Sequence, residues 1–251
     1  MHYNPTLSRL LQLAGYASLF FLLYWTVAED WTWIIYSLLY YKIVVGLFGN
    51  QIAQHRYFSH KSFKATPMVH KLLAIVSCTT AISPIVYASV HRQHHKYSDT
   101  IKDAHSPNNG FIHSAFTWSW NMDKKVKPAI DLMRDEFLLI LHENMYNIII
   151  FGNIMLCLID WRLSAFIFLA GIGWNYLHMG LFRSALFHMR LPGSYKNFDV
   201  ADDSWNNKYL QILDIGEGLH NNHHKYPSKY NQATAPGEYD FAGWVVKKLF
   251  I

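Results

Sequence analysis

Only two cysteines, Cys78 and Cys157, occur in 251 residues, and both sit in apolar stretches. That is too few for a disulfide framework, and they lack metal-ligand spacing. Both are expected to be small core residues, with any active region on a reducing face. Charge is scarce too: Asp, Glu, Lys and Arg make up 16% of the chain, against roughly 25% in a typical soluble domain. Mean hydropathy is only +0.03, which argues against a wholly embedded bundle. A chain partly in lipid and partly in water is expected. No basic stripe carries interleaved stacking aromatics, so the formal charge of +5 does not indicate a nucleic-acid partner.

What the chain does have is apolar length. Leu10 to Val27 carries no charge and approaches the ~20 residues that cross a bilayer. Arg9 before it and Thr26-Val27-Ala28 after it imitate a secretory signal. The run is too long for one, however, and a second apolar segment follows at once, so a retained helix is expected. After the turn Ala28-Glu29-Asp30, Trp31 to about Gln54 returns. Lys42 lies well inside that segment, where an intramembrane functional role and snorkelling to the interface both fit; no role is assigned to it. A second hairpin is expected from Tyr146 to Ile159 with its preceding turns, Asp160-Trp161-Arg162 as the link, and Trp161 to Phe182. The predicted layout is a membrane hairpin over 10–54, a cytoplasmic or re-entrant segment over 55–135, a second hairpin over 136–187 and a cytoplasmic cap over 188–251, all in one domain.

Lys and Arg set the orientation. The two short loops hold only Arg162, whereas 55–135 and 188–251 hold most of the others, Lys124 and Lys125 among them. Both termini and the middle segment are therefore expected on the cytoplasmic side. Leu72 to Val90 is nearly long enough to span, but Ser83-Pro84 interrupts it. A crossing there would separate the histidine-rich sequences on either side, so a re-entrant or interfacial course is expected.

Three histidine clusters stand out: His55-Arg56-Tyr57-Phe58-Ser59-His60, His91-Arg92-Gln93-His94-His95 and His220-Asn221-Asn222-His223-His224. Residues three and four apart share a helix face, so His91 and His95 can converge on one ion. His94 is turned about 100° away, toward a second centre. The box His220, His223, His224 repeats this geometry, and paired boxes of this kind suit a two-metal site. His55 and His60 are five apart and need a helix end or a kink. Imidazole donors fit iron, zinc or copper rather than calcium or magnesium. His2, His70, His113, His142 and His178 fall in no box and are expected to be ordinary hydrogen-bonded residues. Asp99, Asp103, His105 and Glu217 lie near the boxes, either as acceptors for the ligands' other ring N–H or in plain surface ion pairs.

The segments HRYFSHKSFKA (55–65), HRQHHKYSDTIKDAHSP (91–107), SYKNFDVADDSWNN (194–207) and GEGLHNNHHKYP (216–227) resemble the membrane fatty-acid desaturases of the stearoyl (Δ9) acyl-CoA type. The order of boxes and hairpins matches over nearly the whole chain. The resemblance implies an all-α integral membrane fold, with four transmembrane helices under a cytoplasmic helical cap. It also implies two irons held by nine histidines, with zinc a substitute in purified protein. His55, His60, His91 and His95 would hold one iron, and His94, His188, His220, His223 and His224 the other. His188 precedes the sequence matching the family's Gly-Tyr-Arg-Asn-Phe. Ser184 stands where the family has an Asn that contacts a metal-bound water, and Tyr87 stands where animal enzymes carry Trp.

The implied activity is O₂-dependent insertion of a cis double bond into an acyl chain, on CoA or in a lipid. The chain ends soon after the third box, so electrons are expected from a separate b-type cytochrome or ferredoxin. A related di-iron hydroxylase is the alternative within enzymes, and a zinc-binding membrane protein the alternative outside them. The tail Phe241 to Ile251 reads as an interfacial amphipathic helix or as a frayed end.

Overall fold

The computed structural model describes residues 4–121 and 126–251; His2, Lys124 and Lys125 lie outside the described residues. Its principal helices are α1 (Pro5–Ala28), α2 (Thr32–Ser59), α3 (Pro67–Thr80), α4 (Pro84–Tyr97), α5 (Glu136–Ile159), α6 (Leu163–His188), α7 (His220–Lys225) and α8 (Phe241–Leu249). Four of them, α1, α2, α5 and α6, are long and apolar enough to cross a membrane. Their outward side chains are apolar: Phe20, Val27, Leu158 and Ile159 are each more than 70% exposed, a surface suited to lipid and not to water.

The hairpins start and stop for local reasons. Asn4 caps α1 by accepting from the Leu7 N–H, with Pro5 as the first helical residue. Asp135 caps α5 by accepting from the Leu138 N–H, and such caps hold a helix start with about 1 kcal/mol. At the far end, Asp160 accepts from the Arg162 N–H and guanidinium. That guanidinium lies 5.1 Å from the Trp33 ring. Trp25 and Trp161 meet edge-on at 5.4 Å, as residues of an interfacial belt do. α1 and α6 approach closely at Gly15 and Gly173. A Cβ on Gly15 would lie 2.7 Å from the Gly173 nitrogen, so small residues are required where packing drives helix association.

Two features depart from the sequence reading. α2 does not end near Gln54 but continues through the first histidine box to Ser59, its Tyr41–Ser59 stretch wound as a π-helix. Cys78 is buried as expected, whereas Cys157 is exposed on the outside of α5. A helix at the rim of a bundle turns part of its apolar surface outward, and hydropathy does not say which part.

α3 and α4 form a bent pair, 79° apart. Thr66 and Ser83 cap them, each followed by Pro at the first helical position, and Ala81 turns the chain between them at φ +61°. Gln54 donates to Thr80 Oγ1 at 2.8 Å, pinning the tip against α2. His60, ahead of α3, and His91, in the second half of α4, meet with their Nε2 atoms 2.8 Å apart, a contact that a re-entrant pair allows.

A core of Ile52, Phe58, Ala74, Ile85, Leu138 and Val246 joins α2, α3, α4, α5 and α8 beneath the histidines. α8 is thus a docked helix: Ala242, Val245 and Val246 are buried, while Phe241, Trp244 and Leu249 face outward. β1 (Ser194–Tyr195) and β2 (Asn206–Asn207) form a short antiparallel pair, and Asn206 also bridges to Leu219 just before α7.

Candidate metal centre

Each histidine box is delivered by a helix end. The His60 N–H bonds to the His55 carbonyl at 3.2 Å, a five-residue step that brings two side chains together which an α-turn would splay. Such π turns concentrate at functional sites. The last turns of α4 carry His91, His94 and His95, the last residue of α6 is His188, and α7 carries His220, His223 and His224. Between the histidines of α7, Asn221 and Asn222 point the other way. The Asn221 side-chain oxygen accepts from the Asn197 and Phe198 N–H groups. The Asn222 amide donates to the Gln232 carbonyl and to Glu238. Two loops thereby grip a helix too short to stand alone.

The nine imidazoles gather into two groups, His55, His60, His91, His95 and His223 in one and His94, His188, His220 and His224 in the other. Within each group the ligand atoms lie within 4.8 Å of one another. In the first, His91 Nε2 is 3.1 Å from His95 Nε2, and His223 Nε2 is 2.8 Å from His95 Nε2 and 3.0 Å from His55 Nε2. In the second, His220 Nε2 is 3.0 Å from His188 Nε2 and 3.1 Å from His224 Nε2. The groups adjoin, with the His95 and His224 rings 4.5 Å apart.

One assignment drawn from the resemblance is corrected here. His223 belongs with His55, His60, His91 and His95, and not with His94 and His188. The reason is the facing rule itself. His220 and His224 are four apart and share a face, and His223 is turned about 100° from His224, as His94 is from His95.

Carboxylates stand behind the rings. The Nδ1–H groups of His94, His188 and His224 donate to Asp103, Asp99 and Asp202, each at 2.9 Å. A neutral imidazole has one N–H, so these three must present bare Nε2 lone pairs inward. Yet His94 Nε2 and His224 Nε2 face each other at 3.3 Å. Two lone pairs repel at that distance; a cation between them removes the conflict, and the arrangement fits a metal. Carboxylate-backed histidines are the usual way to fix ligand orientation. Glu217, fully buried, lies 2.7 Å from His55 Nδ1 and 3.7 Å from His220 Nδ1.

Titration behaviour agrees. Burial pushes the Asp103 and Asp202 carboxyls upward, but the neighbouring imidazoles (His105 and His94, and His224) outweigh it and hold both well below the usual carboxylate range. His220 is held well below its ordinary value, first by burial and then by the charge of His224. Ionised carboxylates behind neutral imidazoles are the protonation states that metal binding needs.

The remaining candidates fall into place around this core. The His105 ring lies 4.3 Å from that of His94, its backbone N–H donates to Asp103, and burial lowers its pKa to about 3. The Ser184 hydroxyl donates to the Met179 carbonyl at 3.3 Å, and Ser184 lines an adjoining cavity with His91, His94 and His220. His70 bonds to the Tyr57 hydroxyl and lies 3.1 Å from Asp135, and His113, His142 and His178 meet the Ala104 carbonyl, Ser83 and Asp214 respectively. Lys42 lines a separate cavity of about 180 Å³ with Tyr41, His178 and Asp214. Two residues were not anticipated: Asp202, although it lies within the recognised segment 194–207, and Arg183, buried beside the cavity. Nothing in the local sequence pairs Asp202 with His224, which is brought to it by the β1–β2 loop.

No family model matches the chain. Among curated proteins it is 26% identical to the Delta-9 acyl-lipid desaturase 1 of Arabidopsis thaliana, over 88% of this chain and 74% of that one. It is 27% identical to an Acyl-CoA 5-desaturase of Anemone leveillei, over 88% of this chain and 70% of the relative. The chain belongs to the membrane fatty-acid desaturase family. The hex-5-enoyl-[acyl-carrier protein] acetylenase of Moorena producens (strain JHB) is 30% identical over 72% of this chain and 63% of its own length. This desaturase is thus an integral membrane oxidoreductase that acts on fatty-acyl chains, and the names of its relatives span lipid, CoA and acyl-carrier-protein substrates.

Proposed function

We propose that this desaturase is an O₂-dependent di-iron enzyme that inserts a cis double bond into a saturated acyl chain, carried on CoA or in a glycerolipid. Its electrons would come from a separate b-type cytochrome or ferredoxin. The observation that carries the reading is the inward convergence of nine imidazole Nε2 atoms in two adjoining groups, three of them backed by carboxylates. The residues that would hold one iron are His55, His60, His91, His95 and His223, and those for the other are His94, His188, His220 and His224. The Lys and Arg bias supports placing this centre on the cytoplasmic side.

Removing hydrogen from unactivated methylenes has no acid–base route at neutral pH, and bound iron with O₂ supplies the oxidising power. The balance is fixed. Two vicinal C–H bonds break and one C=C bond forms. Those two hydrogens, with two external electrons and two protons, reduce O₂ to two waters. The protein's part is placement. A cavity of about 40 Å³ runs from His91, His94 and His220 to Ser8 and Tyr176, between the metal-facing rings and the start of α1. Tyr87 stacks on His91 at 5.4 Å within it. That volume takes only a short stretch of a chain, and the stretch held there would present fixed carbons to the centre; positioning of this kind supplies much of an enzyme's rate.

The test is expression in a host lacking desaturation, gas chromatography of its fatty acids and metal analysis of the purified protein. New cis-unsaturated acids that disappear with His94→Ala are expected, with iron near two per chain. A hydroxylated chain without an alkene, or identical products from His94→Ala, would overturn the proposal.

A further inference from the structure

The cavity beneath the histidines is not lined as a slot for a bare hydrocarbon would be. Arg183 of α6 lines it and is only 7% exposed. One of its terminal nitrogens donates to Asn50 Oδ1 and to the Tyr87 hydroxyl, the latter at 3.1 Å, while its Nε finds no acceptor. No carboxylate pairs with it among the described residues; Glu217 and Asp214 act on it only through space. A buried guanidinium without a paired anion is costly, and a saturated chain laid against it would leave that cost uncompensated. Tyr87, which orients the guanidinium, stacks on His91, so the cation stands one aromatic ring from the proposed centre.

We propose that Arg183 recognises an oxygen acceptor on the acyl substrate and so fixes which carbons meet the metals. The inference rests on the reading that the acyl chain occupies this cavity. The acceptor is a carbonyl at the chain's head or a hydroxyl along it. In either case the oxidised carbons lie close to an oxygen-bearing carbon, not deep in a featureless chain. Tyr87 and Asn50 are positioning residues that aim the fork.

The test uses the full chain, metal-loaded and in detergent. Displacement of a fluorescent fatty-acyl probe is measured with three competitors: methyl dodecanoate, a mid-chain secondary alcohol of matched length, and an alkane of matched length. The wild type should bind one oxygenated competitor roughly ten- to hundred-fold more tightly than the alkane, as a charge-assisted hydrogen bond in a buried site would give. Preference for the ester places the acceptor at the head, and preference for the alcohol places it on the chain. In Arg183→Met the ratio should fall to near one. An oxygenated-to-alkane ratio near one in the wild type, or an unchanged ratio in Arg183→Met, overturns the proposal. If Arg183 merely ties α6 to Asn50, methionine would lower thermal stability and leave the ratio intact. Should Arg183→Met not fold, Arg183→Gln decides: the ratio should drop several-fold, and an unchanged ratio overturns the assignment. Absence of any unsaturated product in the host would sink the desaturation reading alone, since this ratio does not depend on turnover.

Discussion

Asp240 is the residue whose loss should be felt furthest from where it sits. Its two carboxylate oxygens each lie 3.0 Å from Arg56, inside the first histidine box, and both side chains are at most 1% exposed. The same carboxylate accepts from the Gly243 N–H, capping α8, and from the Gln232 N–H. Arg56 also donates to the carbonyls of Gly216, next to Glu217, and of Tyr230. Asp240→Ala would orphan a buried guanidinium, a change that costs about 3–5 kcal/mol, and would remove a helix cap worth about 1 kcal/mol more, partly shared with the first loss. At roughly 2–4 °C per kcal/mol for a chain of this size, apparent Tm should fall by about 10 °C or more. Thermal unfolding followed by tryptophan fluorescence in detergent measures this. Arg56→Met with Asp240→Leu should recover most of the loss, because an apolar pair leaves no orphaned charge. A drop of less than about 2 °C in Asp240→Ala, or a double variant no better than the single one, would refute the reasoning.

Asp202→Asn leaves His224 without its carboxylate. Iron affinity, measured by competition with a chelator, should fall about 10–100-fold, while the same change at the exposed Asp199 should not alter it. His223→Ala and His94→Ala should each weaken a different ion. If spectroscopy of the two variants shows the same ion lost, the grouping of His223 with His55 is wrong. Gly173→Val would push a branched side chain into the Gly15 backbone and should lower apparent Tm by several degrees, with Gly152→Val, which meets open space, as the silent control.

Much of this architecture was legible because bilayer chemistry leaves few options. Uncharged runs near 10–27 and 146–159 have to be helices; α1 starts at Pro5, close to the first run, and α5 takes in the turns before the second back to Glu136. The bent course of α3 and α4 followed from chemistry alone: histidines at 60 and 91 had to meet. Patterning could not reveal that α2 continues through the first box as a π-helix, since winding is set by how His55, Arg56 and His60 find their partners. Nor could it find Asp202, whose link to His224 depends on a loop closing over 22 residues. For His223 the sequence held the answer in its spacing, and analogy obscured it. Cys157 faces outward because only packing decides which apolar side of a rim helix is covered.

That last residue has a practical use. Cys78 is shut inside the fold, so Cys157, on the outer surface of α5, is the one thiol that the protein leaves uncovered. Replacing it with serine would give a background silent to maleimides. One cysteine placed in the Arg162 loop and another beside Lys96 could then be labelled in turn in intact and opened vesicles, reporting directly which side of the bilayer each end occupies.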